Sequence, residues 1–338
     1  MRRTKILVTG GAGYIGAHTL VALHNSGYEP IVVDDLSRGS LRLLEGVAKI
    51  TGREPVFYKV DCRDIINMRA VMDIHPEISG VIHFAAFKSV GESVGQPDLY
   101  YDNNLNGLLA VLRLMKEYKV FYFIFSSSCT VYGQPDKIPV TEDAPFKKAE
   151  SPYGATKQMG ERILEDIAYS WDKLRIVSLR YFNPIGAHPS GLIGELPSGV
   201  PNNLVPYLTQ TAAGLRKELV IFGNDYNTPD GTCLRDFIHV MDLAEAHVKA
   251  FERINGLPTK FEPINLGTGS PVSVLELVRS FTQITGVSLS YRIGSRRPGD
   301  VEKTYADPSK AYQLLGWKAK HSFQDALIDA WNWQKNLQ

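Results

Sequence analysis

Residues 5–16 read KILVTGGAGYIG, and the prediction of the fold rests on these twelve residues. Residues 5–9 have the length and apolar character of a buried strand, and they run directly into glycines at positions 10, 13 and 16. A helix through about residue 26 is predicted to follow. Glycines permit the tight turn, the close approach of backbone to a pyrophosphate and the packing of helix on strand. The stretch therefore predicts a dinucleotide site, although its Gly-x-x-Gly-x-x-Gly spacing is one residue wider at the front than in most dehydrogenases.

A second predicted strand, residues 30–33, ends at Asp34 and Asp35. An acidic residue here is expected to accept hydrogen bonds from the adenosine ribose hydroxyls, so Asp34 favours NAD. Arg38 is the counter-signal, because a cation could hold the 2′-phosphate of NADP. The Asp34 carboxylate would repel that phosphate, and NAD is the preferred prediction.

Further strands are predicted at residues 56–60, 80–86, 121–128 and 174–181. Their alternation with helical segments predicts an α/β, Rossmann-type doubly wound parallel sheet with ligands at the carboxyl ends of its strands. His83, inside an apolar strand, is interpreted as a core histidine rather than a catalytic one.

The character of the sequence changes after residue 182. Residues 183–206 are rich in Gly, Pro, Ser and Asn, which is typical of a long irregular loop. The remainder interleaves predicted helices, at 274–285 and 322–333, with short strands such as 220–222. We therefore divide the chain into an NAD-binding domain, residues 1–182, and a smaller α/β substrate-binding domain, residues 183–338, some segments of which return to the sheet.

Composition narrows the class of protein. Lys plus Arg number 37 and Asp plus Glu 36, so the 338-residue chain has no global basic field for nucleic acid. Cys62, Cys129 and Cys233 lack metal-ligand spacing and fit a reducing compartment. The apolar run near the start is too short for a signal peptide, and none approaches the ~18 residues of a membrane span. These observations predict a cytoplasmic protein that binds no metal, nucleic acid or membrane.

A second motif carries candidate chemistry. Ser151 and Pro152 open a predicted helix over 151–170 and place Tyr153 and Lys157 one turn apart on the same face. The ammonium is expected to favour the phenolate, bringing the phenol's pKa nearer neutrality so that it acts as a general base. Tyr169 and Lys173 repeat the spacing, but only the first pair follows a strand that ends in hydroxyls, at residues 126–128. Tyr169 is therefore interpreted as surface or core packing.

Taken together, the glycine turn, Ser128, Tyr153 and Lys157 resemble the extended short-chain dehydrogenase/reductase superfamily. Segments 9–16, 126–133, 180–184, 201–204 and 235–243 are similar, in order, to the UDP-glucose 4-epimerase family, and the resemblance covers essentially the whole chain. It implies reversible interconversion of UDP-glucose and UDP-galactose through a 4-keto intermediate with tightly bound NAD, in galactose metabolism and the supply of nucleotide sugars.

The resemblance also implies roles for individual residues. Tyr153 would take the proton from the sugar's 4-hydroxyl, Ser128 would hydrogen-bond the same oxygen, and Lys157 would hold the nicotinamide ribose. With these three, the implied cofactor-binding positions are Gly10, Gly13, Tyr14, Ile15, Gly16, Asp34, Asp35, Leu36, Ser37, Arg38, Gly39, Asp61, Cys62, Phe84, Ala85, Ala86, Phe87, Lys88, Asn103 and Phe182. The implied substrate-binding positions, beside Ser128 and Tyr153, are Asn183, Asn203, Leu204, Phe222, Arg235, Arg297, Asp300 and Thr304.

Some of these positions have alternative interpretations. Arg235 and Arg297 suit a diphosphate, but each could instead be a surface arginine paired with Asp236 or Asp300. Thr304 resembles the family's gatekeeper position, where a small residue leaves room for an N-acetyl group, and it suggests added activity on UDP-GlcNAc and UDP-GalNAc. Cys129 stands where the family commonly has alanine and is interpreted as a small packed residue rather than an oxidisable one. The family also implies a homodimer through the helices around 97–118 and 151–170.

Three other classes of protein share parts of this pattern. A 4,6-dehydratase is expected to carry an Asp-Glu pair after its catalytic threonine, whereas Val131 and Tyr132 follow Thr130 here. A non-catalytic NAD-binding regulator is expected to lack one of Ser128, Tyr153 and Lys157, and all are present. A simple dehydrogenase that releases NADH uses the same residues, so retention of the cofactor discriminates it from an epimerase.

Overall fold

Parallel strands and helices alternate along the chain, of which the computed structural model describes residues 3–297 and 300–337. The strands of the described part are β1 Lys5–Thr9, β2 Glu29–Asp34, β3 Val56–Lys59, β4 Ile78–His83, β5 Tyr122–Ser128, β6 Arg175–Tyr181, β7 Asn183–Ile185, β8 Leu219–Phe222, β9 Leu234–Arg235, β10 Phe237–His239, β11 Phe261–Leu266, β12 Val272–Ser273, β13 Tyr291–Gly294 and β14 Lys303–Thr304. The α-helices are α1 Tyr14–Asn25, α2 Leu41–Thr51, α3 Ile65–Ile74, α4 Val90–Gly95, α5 Pro97–Tyr101, α6 Gly107–Glu117, α7 Pro152–Ser170, α8 Leu204–Ala212, α9 Val240–Arg253, α10 Val274–Thr285, α11 Ser309–Leu315 and α12 Phe323–Lys335.

The central sheet has seven strands in the order β11-β6-β5-β4-β1-β2-β3, and every neighbouring pair is parallel. Alternate side chains of β1 face opposite sides of this sheet. Ile6 and Val8 join one apolar core with α1 and α9, while Leu7 joins another with α3, α6 and α7. The predicted Rossmann-type fold is confirmed. Between β1 and β4 the strand order reverses, which opens a crevice at the carboxyl ends of the strands.

The second half of the chain supplies shorter sheets and a third apolar core. Strand β8 pairs with β13, β7 with β10, and β9 lies between β12 and β14. Helices α8, α10 and α12 cover this region. Strand β11 from this half pairs with β6 at the edge of the central sheet, so the second half of the chain also contributes to the Rossmann-type sheet.

Two predicted elements have different bounds in the structure. Strand β4 ends at His83 rather than at residue 86, because after the Phe84 amide bonds the Thr9 carbonyl at 2.9 Å the chain leaves the sheet. The predicted helix at 97–118 is interrupted by a π-helical turn, Asp102–Asn106. Inside this turn the Asn104 side chain bonds the backbone of Phe87 and the hydroxyl of Thr156, which ties the helix to the crevice wall.

The structure tests two further predictions, the irregular loop at 183–206 and the core position of His83. The segment predicted as an irregular loop at 183–206 contains strand β7 and the start of α8. His83 is confirmed as a core histidine, buried with its Nδ1 2.7 Å from the Thr9 hydroxyl. Across the described residues, no helix combines the length and apolar character needed to cross a bilayer.

Candidate active site

The glycine turn between β1 and α1 brings three segments of backbone together. Gly10 has a φ of 72°, and a Cβ there would lie 2.6 Å from the Ala85 nitrogen. A Cβ on Gly16 would lie 2.4 Å from the Gly10 carbonyl oxygen. Gly13 caps α1 without a side chain, so the amides of the first turn point toward the crevice. The turn is therefore a cradle that side chains would fill, and it suits a pyrophosphate.

The end of β2 forms the next wall. The Asp34 carboxylate accepts hydrogen bonds from the amides of Ala12, at 3.1 Å, and Leu36, at 2.8 Å, which couples it to the glycine turn. Burial raises the pKa of Asp34, although those two amides act in the opposite direction. The Arg38 guanidinium pairs with Glu92 at 2.5 Å and lies over the Phe87 ring. Its charge is thus already partly neutralised, which weakens the case for a 2′-phosphate site.

A cavity of about 630 Å³ opens from this turn along the carboxyl ends of the sheet. It is lined by Ser128, Tyr153 and Lys157 together with every other residue named as cofactor-binding except Leu36. Leu36 has a φ of 64°, and its side chain packs against the core around α1 and α9 instead. Of the substrate positions, Asn183, Asn203 and Leu204 line the same cavity.

Strand β5 and helix α7 place the candidate catalytic groups. Ser151 caps α7 by accepting the Gly154 amide at 3.2 Å, and Pro152 occupies the first turn. This start presents Tyr153 and Lys157 to the cavity beside Ser128, the last residue of β5. The Lys157 ammonium donates to the Ser126 carbonyl at 2.6 Å and lies 5.9 Å from the centre of the Tyr153 ring.

The expected lowering of the phenol's pKa by Lys157 is wrong for this structure. Desolvation raises the pKa of Tyr153 to about 12, and the Ser128 hydroxyl opposes this only in part. Burial also lowers the pKa of Lys157 to about 8, against the attraction of Glu161. The ammonium is directed at the Ser126 carbonyl rather than at the phenol, so helical spacing alone did not determine its electrostatic partner.

A group of charged and polar residues from the second half lies beyond the cavity lining. Asp300 accepts from Arg297 at 2.8 Å and lies 3.6 Å from Arg235, and Arg297 lies over the Phe222 ring. Thr304 of β14 is the register partner of Arg235 in β9. The alternative interpretation, in which these arginines pair with an aspartate, is confirmed for Asp300, which both Arg235 and Arg297 approach, whereas a pairing of Arg235 with Asp236 is wrong.

Buried Asp236 instead accepts from the Thr268, Gly269 and Ala306 amides, so its carboxylate is already engaged. The charge of Arg235 reaches Cys129 in the cavity wall, where burial nevertheless raises the pKa of the thiol to about 11. The high pKa agrees with a packed, unreactive Cys129.

Sequence reasoning missed two acidic residues at this site. Glu195 accepts from Lys88 at 2.9 Å and from Asn203 at 2.7 Å, joining the two walls of the cavity. Only its position in the Gly- and Pro-rich segment could have drawn attention to it. Glu161 lies one helical turn beyond Lys157 and is buried at the base of the site. The spacing Lys-x-x-x-Glu, which places both side chains on one face of the helix, could have identified it from the sequence.

The chain is similar to known proteins over nearly its whole length. Residues 6–267 match the NAD dependent epimerase/dehydratase family. A UDP-glucose 4-epimerase from Dictyostelium discoideum is 52% identical over 98% of this chain and 95% of its own length. A UDP-glucose-4-epimerase from Stenotrophomonas maltophila, crystallised with NAD and formylated UDP-arabinopyranose, is 47% identical with a TM-score of 0.96 over 99% of both chains. A UDP-glucose 4-epimerase from Bifidobacterium longum in complex with NAD+ and UDP is 46% identical, with a TM-score of 0.94 over 98% of both chains.

Proposed function

The chain belongs to the NAD dependent epimerase/dehydratase family, and within it to the UDP-glucose 4-epimerases, and from that premise we propose how its cavity carries out the reaction. The enzyme is an isomerase that uses NAD. We propose that it interconverts UDP-glucose and UDP-galactose in galactose metabolism. The observation that carries the proposal is the convergence of Ser128, Tyr153 and Lys157 on the cavity that also contains the glycine turn.

The residues present fit NAD. The glycine cradle and the α1 amides suit its pyrophosphate, and Asp34 stands where the adenosine ribose would lie. When bound, NAD supplies the acceptor and donor of hydride at carbon 4 of the sugar. The remaining chemistry falls to side chains of this chain.

We assign the proton transfer to Tyr153. Its phenolate would take the proton from the 4-hydroxyl of the sugar and return it after the 4-keto sugar has turned in the site. Because desolvation holds the pKa of Tyr153 at about 12 and the Lys157 ammonium donates to the Ser126 carbonyl, formation of the phenolate requires hydrogen-bond donors or positive charge close to the phenol, and the Ser128 hydroxyl is one such donor. Ser128, whose hydroxyl faces Tyr153, would hydrogen-bond the same sugar oxygen.

We assign substrate binding to two sets of residues, those that line the cavity and those that surround Asp300. Asn183, Asn203 and Leu204 line the cavity, and the buried Asn183 Oδ1 has no hydrogen-bond partner among the described residues, so it is free to accept one from a sugar hydroxyl. Arg235 and Arg297 place two guanidinium groups against the single carboxylate of Asp300, which leaves a net positive charge for a diphosphate. Firm binding of UDP would let the sugar turn without leaving.

The test of this function uses purified protein and UDP-galactose with no added cofactor. We expect UDP-glucose to form, by chromatography, without accumulation of absorbance from reduced nicotinamide. Stoichiometric NADH would indicate a dehydrogenase instead. No conversion, even after NAD is supplied, would refute the substrate assignment.

We propose that the enzyme also acts on UDP-GlcNAc and UDP-GalNAc, because Thr304 is small and adjoins Arg235. A Thr304→Tyr variant is expected to lose at least about tenfold of its kcat/KM for UDP-GalNAc, since added bulk in a packed site is costly, and to keep its activity on UDP-galactose. Steady-state assays with both substrates give the comparison. Undiminished N-acetyl activity in the variant would contradict the gatekeeper role.

We further propose a homodimer that uses the helices at 97–117 and 152–170. Two apolar side chains on neighbouring helices support this assembly, since Met159 of α7 is 45% exposed and Val94 of the adjoining α4 is 64% exposed. A second copy of the chain would cover them. Sedimentation equilibrium tests the assembly, and the mass of a single chain at micromolar concentration would refute it.

A further inference from the structure

A buried carboxylate joins the two elements that carry the candidate catalytic groups. Glu161 of α7 has a side chain only 2% exposed. Its oxygens accept from Ser127 at 2.5 Å, from Ser178 at 2.9 Å and from the Arg180 Nη2 at 2.6 Å. We call these four residues the Glu161 cluster. It connects α7 to β5 and β6 across the interior of the protein.

The three serines at the end of β5 point alternately to the two faces of the sheet, as successive side chains of a strand do. Ser126 and Ser128 line the cavity, whereas Ser127 faces α7 and donates to Glu161. The two residues that flank Ser127 also contact the candidate catalytic groups. The Ser126 carbonyl accepts from Lys157, and the Ser128 hydroxyl faces Tyr153. A shift of Ser127 would therefore displace both contacts of β5 with the cavity.

We propose that Glu161 is a positioning residue, which through Ser127 holds the end of β5 in register with α7 and so sets the placement of Ser128 against Tyr153 and Lys157. The inference rests on the catalytic roles proposed above for those three residues. Glu161 does not line the cavity, so its effect passes through the residues that it holds.

The charge of Glu161 is balanced from β6. Arg180 donates to both carboxylate oxygens, and its Nη1 donates to the Tyr132 hydroxyl and the Glu142 carbonyl. Burial acts to lower the pKa of Arg180, but the hydrogen bonds and the negative charge of Glu161 have the larger opposite effect, so the pKa of Arg180 is raised. A fully bonded buried pair of this kind is rigid, and removing one member would leave an uncompensated charge.

Two serine variants provide a matched test. Ser127 and Ser178 both donate to the same Glu161 oxygen, but only Ser127 adjoins the cavity-facing serines. We expect Ser127→Ala to lower kcat for UDP-galactose by about tenfold with KM within about twofold, because it misplaces catalytic groups without removing a substrate contact. Ser178→Ala is expected to keep kcat within about twofold while losing a similar increment of stability.

The outcomes separate this inference from the proposed function. If wild-type protein converts UDP-galactose and the two variants have equal kcat values, whether both normal or both reduced, the positioning role is overturned. A wild-type protein that converts no UDP-galactose would instead refute the proposed function. Thermal unfolding of all three proteins shows whether the stability costs are indeed matched.

A Glu161→Gln variant adds a readout that a purely structural role would not change. Among the residues that the structure describes, the titratable groups beside Lys157 are Glu161, Tyr153 and His83. Burial together with the Lys157 charge lowers the pKa of His83 to about 3, so His83 is neutral. Lys157 carries its charge below its own pKa and loses it as pH rises. Removing the Glu161 charge lowers that pKa further, so the alkaline limb of the kcat profile is expected to move to lower pH. An unmoved limb would show that the Glu161 charge is not held beside Lys157, and it would contradict the positioning role.

Discussion

Replacing Tyr153 with phenylalanine is expected to lower kcat for UDP-galactose by about 10³-fold, within the range typical of a lost general acid or base. The variant keeps the ring but removes the only atom that could exchange a proton with the 4-hydroxyl in the assigned mechanism. Stability should change little, because the ring packing is retained. Single-turnover conversion of UDP-galactose measures the chemical step directly.

Tyr169→Phe is the matched control. Tyr169 precedes Lys173 with the same spacing, but its side chain is 78% exposed and lies at the far end of α7. The control variant is expected to retain wild-type kcat. A loss of less than about tenfold in Tyr153→Phe would contradict the role of Tyr153 as the base.

Gly10→Ala is expected to destabilise the protein by about 3 kcal/mol and to remove NAD from the purified enzyme. The residue has a φ of 72°, which costs an alanine roughly 1–2 kcal/mol. Its new Cβ would also lie 2.6 Å and 2.9 Å from backbone atoms of Ala85, which cannot rotate away as a side chain could. Relief requires the glycine turn to separate from the end of β4, and both segments line the cofactor cavity. Urea denaturation and the NAD released on unfolding measure the two effects.

Gly52→Ala separates strain from steric conflict. Gly52 has a φ of 68°, and nothing lies within 4 Å of the Cβ that alanine would add. This variant is expected to lose only about 1 kcal/mol and to retain NAD. Equal effects of the two substitutions would show that close packing against Ala85 contributes nothing.

The local features of the candidate site were predictable from spacing. The strand, glycine turn and helix at residues 5–25 form within one short segment, so the residue types there specify them directly. The same holds for α7, whose start is marked by Ser151 and Pro152. The break of the helix by a π turn at 102–106 was not predictable, because it depends on Asn104 reaching Phe87 and Thr156.

The fold class, the preference for NAD and the candidate pair Tyr153 and Lys157 were predictable from periodicity and from motifs whose members lie close together along the chain. The family resemblance then singled out Ser128 among the three serines that end β5. The partner of each charged group, in contrast, is set by the folded chain. It directs Lys157 to the Ser126 carbonyl, raises the pKa of Tyr153, and places Glu161 against Ser127 and Arg180. The reason is physical: pKa shifts and ion pairs depend on burial and on through-space distance, and neither follows from separation along the chain.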